Sequence, residues 1–131
     1  MAEKLKEEIG SLYKNDASNT EVYGVDVNTG ESKCIVVESQ VIYDAVVGFY
    51  ERISASIQAI ISSCPENIIE DIQNLGIYVM GGSSLISGAE QYFRRKLNLP
   101  VMVADETTAV DVLGAGKLLS EPRLLKILSE L

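Results

Sequence analysis

The chain has 131 residues, 47% of them apolar and 23% charged, which is enough for one domain or two small lobes around a real core. A net charge of −8, from 19 acidic and 11 basic residues, argues against nucleic-acid binding through a basic face and against a polybasic membrane anchor. Histidine is absent, which excludes a histidine-dependent triad or zinc site, and no run nears the roughly 20 apolar residues of a membrane span.

The start, "MAEKLKEEIG", carries charge where a signal peptide has its apolar core, so a cytoplasmic protein is expected. Cys34 and Cys64 have no metal-ligand spacing and read as reduced, half-buried thiols.

Residues 2–13 read as a helix, because Leu5, Ile9 and Leu12 fall at i, i+4 and i+7. On the opposite face Glu3, Lys6, Glu7 and Gly10 cluster. That face could be a solvated row of i,i+4 pairs, or a set of acceptors and one donor around a small residue over which a flat group could lie. "KNDASNTE" (14–21) is polar and reads as a loop. "VYGVDV" and "KCIVVES" then read as a β-hairpin, with Asn28, Thr29 and Gly30 supplying the turn. Ser39 is expected to cap a long helix reaching about Ser63, with Ile42, Ala45, Val46, Phe49, Tyr50, Ile53, Ile57 and Ile60 inward. Pro65 suits the first turn of a following helix that buries Ile68, Ile69 and Ile72.

The last third alternates apolar strands with helices. "GIYVM" and "PVMVA" read as buried strands around a helix "SSLISGAEQYFRRKL", with Leu85, Ile86, Ala89, Tyr92, Phe93 and Leu97 inward. That order implies a parallel pair joined by a right-handed crossover. "TTAVDVLGAGKLLS" reads as a helix whose Gly114 and Gly116 mark close packing, against a ligand or, the preferred reading, on the sheet, and "EPRLLKILSEL" closes the chain. The class is α/β: a parallel or mixed sheet with helices, preceded by a small helix-and-hairpin lobe. The lobes are placed at residues 1–48 and 49–131.

Gly81, Gly82 and Ser83 lie between the carboxyl end of a parallel strand and a helix, the edge where ligands gather in open α/β sheets. The stretch is neither GxGxxG nor a phosphate-binding GxxxxGK loop. Two readings stand: a tight strand-to-helix turn capped by Ser83 or Ser84, or a backbone cradle for a ligand.

Taken together, "AEKLKEEIGS", "VYGVDVNTGESKCIVVES", the long helix, "CPENIIEDIQNLGIYVMGGSSLISGAE" and "LPVMVADETTAVDVLGAGKLL" resemble the carboxyl-terminal half of MreB, the bacterial actin homologue that organises rod cell shape. The resemblance covers nearly the whole chain. It implies an actin-like ATPase fold (ribonuclease H-like), of which this chain would be the second domain. It also implies that Glu3, Lys6 and, less directly, Glu7 lie against an adenosine. Gly81, Gly82 and Ser83 would contact adenine and the nearby phosphate. The family usually carries GGGxLLxGL at this turn; here Ser83 stands in the third place and "SGAE" follows. A serine still offers its N–H.

The family's first domain supplies a phosphate loop and the glutamate that positions water, and a second phosphate loop is expected just before Ala2. None of these lies in this sequence. Phosphoryl transfer needs metal, phosphate cradle and positioned water together. The expectation is therefore that ATP with Mg2+ serves the full-length family, and that this chain alone holds no nucleotide stably and does not hydrolyse ATP. The resemblance further implies three partners: a missing first domain, other copies in filaments at the inner face of the cell membrane, and membrane-bound cell-shape proteins. A fragment of another actin-like ATPase, of plasmid-segregation or chaperone type, is a second reading. A free-standing interaction module without nucleotide chemistry is a third.

Overall fold

The computed structural model describes residues 1–105, 107–121, 123 and 126. Helix α1 (Ala2–Ile9) is rich in Glu and Lys and begins with Glu3 in its first turn, where an acid complements the helix dipole. It ends earlier than its apolar stripe suggests. Gly10 turns extended and its amide bonds back to the Lys6 carbonyl at 3.0 Å. A Cβ on Gly10 would stand 2.1 Å from that oxygen. Leu12 reaches the core, at 1% exposure, as part of an extended segment whose amide bonds the Ser87 carbonyl at 2.7 Å.

Strands β1 (Asn19–Val25) and β2 (Ser32–Glu38) pair antiparallel, from Asn19 opposite Glu38 to Val25 opposite Ser32. The expected hairpin is present, and Gly30 has the positive φ, +72°, that its turn requires. Its organiser is Asp26, whose Oδ1 accepts from the amides of Asn28 at 2.9 Å and Thr29 at 3.3 Å. Cys34, expected half-buried, is exposed on β2; Cys64 is half-buried and both thiols are free.

β2 runs without a loop into α2 (Ser39–Ser62). The cap position is therefore Glu38, and Ser39 is the first helical residue rather than the cap. Its amide bonds the Ser18 carbonyl, and its buried hydroxyl has no partner among the described residues. Tyr50 and Ser54 are buried in the middle of α2; Ile42, Val46, Ile53 and Ile57 are half-buried. Ala45, Phe49 and Ile60, expected inward, are exposed, because only part of this long helix has a packing partner.

Pro65 takes the cap position of α3 (Glu66–Leu75) rather than its first turn. Ile69 and Ile72 are half-buried and Ile68 is exposed. Gly76 ends the helix at φ +79°, where a Cβ would meet the Pro100 carbonyl oxygen at 2.4 Å. Strands β3 (Ile77–Val79) and β4 (Val101–Val103) then pair parallel, Ile77 opposite Val101, as the alternating pattern implies.

Between them the expected single helix is broken in two. One 3-10 turn, Gly82–Leu85, gives way to extended Ile86 and to Gly88 at φ +79°, and only then does α4 (Ala89–Leu97) begin. The break lets Ser87 bridge to Ser11 and leaves Leu85 exposed rather than inward. Ile86, Ala89, Tyr92, Phe93 and Leu97 are buried as expected. They form the core with Leu12, Tyr50 and Val101, each large side chain contributing roughly 1.5–3 kcal/mol. The Tyr50 ring lies 6.1 Å from Tyr92 and 5.8 Å from Phe93, within the range of favourable edge contacts. Helix α5 (Val110–Ser120) has no buried residue. A Cβ at Gly114 or Gly116 would meet nothing within 4 Å, so these glycines do not mark packing on the sheet. Most of the closing segment, 121–131, lies outside the described residues.

Candidate functional site

The exposed face of α1 and the turn after β3 border one cleft of about 520 Å³. Glu3, Lys6 and Glu7 line it from the helix, Gly82, Ser83, Leu85 and Ile86 from the turn, and Thr108 from the segment after β4. Five of the six residues singled out in the sequence thus share one wall-to-wall space. Gly81 does not line it. Its role is conformational: φ +97° and ψ 159° fall in a region essentially reserved for glycine.

A small polar network fixes the turn. The Gly81 amide donates to the Thr107 carbonyl at 2.9 Å, tying the ends of the two parallel strands together. The Ser84 hydroxyl lies 2.7 Å from the Gly81 carbonyl and 2.8 Å from the Thr107 hydroxyl. Ser84 is therefore buried and occupied, and neither it nor Ser83 makes a side-chain cap. The Tyr50 hydroxyl donates to the Ser83 carbonyl at 2.6 Å and so moors the turn to the aromatic core. Tyr50 was expected only as a core residue and Ser84 only as a cap; Thr107 and Thr108 escaped the sequence reading. "TT" at 107–108 follows β4 at the same carboxyl edge as the glycine turn, and that placement is the signal that could have found the pair.

Lys6 is the cation among the residues lining the cleft. It is held by Glu3, whose carboxylate raises the lysine pKa above its ordinary value. Burial pushes the Tyr50 hydroxyl up, against the nearby Lys6 charge. The arrangement offers carboxylates that accept from hydroxyl groups, one ammonium for an acceptor or anion, and backbone left bare at Gly82. A Cβ there would meet nothing within 4 Å, so the missing side chain leaves open space inside the cleft. The volume falls in the range of small-molecule sites. Among the described residues no group of three or more Asp, Glu or Cys is arranged to hold a metal ion.

The family model for the MreB/Mbl protein matches residues 1–127. The chain belongs to the MreB/Mbl family. It is 28% identical over 119 residues to the cell shape-determining protein MreB of Escherichia coli K12, covering 90% of this chain and 34% of that one. It is 26% identical over 120 residues to the cell shape-determining protein Mbl of Bacillus subtilis, covering 90% and 36%. Among solved structures, MreB5 of Spiroplasma citri bound to ADP superposes with a TM-score of 0.81 at 26% identity, over 88% of this chain and 36% of that one. The same protein bound to AMPPNP gives 0.82 over 98% and 38%. The fold is thus that of part of an actin-like MreB protein, and the chain spans about a third of the length of the relatives it matches.

Proposed function

We propose that this chain provides the adenosine side of a nucleotide cleft in an MreB-like protein that forms filaments and determines cell shape. The observation that carries the reading is the convergence of Glu3, Lys6 and Glu7 with Gly82 and Ser83, nearly eighty residues away, on one cleft. The solved relatives with the same fold bind ADP and AMPPNP. In this reading Glu3 and Glu7 accept from ribose hydroxyls, Lys6 faces an acceptor on the nucleotide, and the Gly81–Ser83 backbone lies against adenine and the first phosphate. ATP with Mg2+ belongs to the whole protein. This chain's own residues bind and orient the nucleoside and do not turn it over.

The rest of the cleft would come from a first domain. Residues 1–48 would then be the small lobe of the second domain and residues 49–131 the carboxyl-terminal half of its large lobe, with α2 running through both. The sheet supports this. Two short parallel strands are fewer than an independent sheet needs, and parallel sheets are normally covered on both faces. Here Tyr78 and Met80 are exposed beside β4, as are Val112, Leu113 and Leu119 on α5. Assembly of the completed protein into filaments at the inner face of the membrane, with membrane-bound partners, follows the family reading. No helix of the described residues is itself long and apolar enough to cross a membrane.

The test is equilibrium binding of a fluorescent ADP analogue to the chain, beside its Gly82→Val variant. Weak binding, with Kd in the millimolar range (about −4 kcal/mol) and abolished by the valine, is expected. Binding that the valine leaves unchanged would place the nucleotide elsewhere. Absence of any binding would favour the interaction-module reading, for which Ser83 in the third glycine's place is the supporting feature.

A further inference from the structure

A second cleft, of about 300 Å³, opens on another side of the core and plays no part in the nucleotide reading. It is lined by Tyr13, Lys14, Tyr43, Tyr92, Arg95 and Lys96, with Leu12 beneath. In a chain of net charge −8 this is an inversion: three cations and no carboxylate line it. Lys96 is partly spent, since its Nζ lies 3.2 Å from a Glu51 carboxylate oxygen and 5.7 Å from the centre of the Tyr92 ring. Lys14 and Arg95 make no ion pair among the described residues.

Tyr92 adds the second observation. It is 4% exposed, and its hydroxyl is buried with no hydrogen-bond partner among the described residues. Buried polar groups are nearly always paired, so an orphan asks what completes it. Burial pushes its pKa up; Lys96 and, more weakly, Arg95 act against that, while the Glu51 carboxylate and Tyr43 add to it. Tyrosine and arginine are the residue types enriched where proteins bind one another, and arginine's planar fork matches a carboxylate.

We propose that this cleft docks an acidic segment of a partner protein, with Arg95 and Lys14 as counter-ions for an aspartate or glutamate side chain. A shift of the side chains that cover it opens the Tyr92 hydroxyl to the carboxylate, which is then its missing acceptor, and the Tyr13 and Tyr43 rings lie against the neighbouring residues of the segment. At about 300 Å³ the space suits one or two side chains.

The test is a titration of the isotope-labelled chain with a short blocked peptide of alternating glutamate and leucine, followed by NMR. Shifts at Tyr92, Arg95 and Lys14 are expected. Affinity should fall at least tenfold in Arg95→Glu, severalfold in Tyr92→Phe, and progressively with salt. Arg95 is exposed, so its reversal leaves the fold intact. Arg95→Glu should in turn gain affinity for the lysine–leucine version of the peptide. Four outcomes overturn the proposal: no shifts at the cleft, binding indifferent to Arg95→Glu, inorganic phosphate binding as tightly as the peptide at the same residues, or self-association of the chain that Arg95→Glu removes while the peptide does not bind.

Discussion

The hydroxyl of Tyr50 reaches from the middle of α2 to the carbonyl of Ser83, 33 positions later, at 2.6 Å. That single bond joins the aromatic core to the turn that borders the nucleotide-sized cleft. Tyr50→Phe keeps the ring contacts and removes the bond. It should cost about 1 kcal/mol of stability in urea unfolding. It should also speed amide exchange at Gly82, Ser83 and Ser84 more than at α4, which checks that the bond acts on the turn.

The glycines separate into those the backbone needs and those it does not. Gly76→Ala places a Cβ 2.4 Å from the Pro100 carbonyl oxygen at a positive φ, and Gly81→Ala strains a backbone at φ +97°. Each should destabilise by about 1–3 kcal/mol. Gly114→Ala lies in a helix with open space around it and should stabilise by up to about 1 kcal/mol. Thermal unfolding of the three variants side by side checks both signs.

The hairpin turn carries a pH signature. Hydrogen bonds donated by the backbone amides of Asn28 and then Thr29 hold the Asp26 carboxylate below the ordinary aspartate value of 3.8, with Lys33 nearby. A depressed acid stabilises the fold above its unfolded pKa and loses that contribution as pH falls through its folded pKa. Hairpin stability should therefore be constant near neutrality and decline in the acid range below pH 4. Asp26→Asn should flatten that decline while keeping the turn, since its amide oxygen still accepts. Carbon-detected titration of the Asp26 carboxyl gives the direct check.

Hydrolysis is predicted to be absent. The chain alone, given ATP and Mg2+, should release no phosphate above the background rate. Turnover that Gly82→Val abolishes would show a complete catalytic site within these residues and contradict the reading.

Much of the architecture was written plainly in the sequence. Hydrophobic period placed α1, the hairpin, α2, α3 and the parallel pair, and the face carrying Glu3, Lys6 and Glu7 was visible from helical spacing alone. Failures came where tertiary pairing overrides local pattern. Nothing local in "SSLISGAEQ" says that Ser87 will bridge to Ser11 and break the helix. Nothing in "VVES" says that a strand will enter a helix with Ser39 already inside it. Gly114 and Gly116 looked like packing marks because apolar residues surround them, yet α5 has no buried residue. Tyr50 was read as core and is so, but its bond to Ser83 spans too much sequence for spacing to show it.

The most direct measurement is a chemical-shift map of the labelled chain titrated with ADP to millimolar concentration. The account predicts shifts at Glu3, Lys6, Glu7, Gly82 and Ser83, saturating together and absent in Gly82→Val. Shifts confined to other surfaces, or none at α1 and the turn while the chain remains folded, would contradict it.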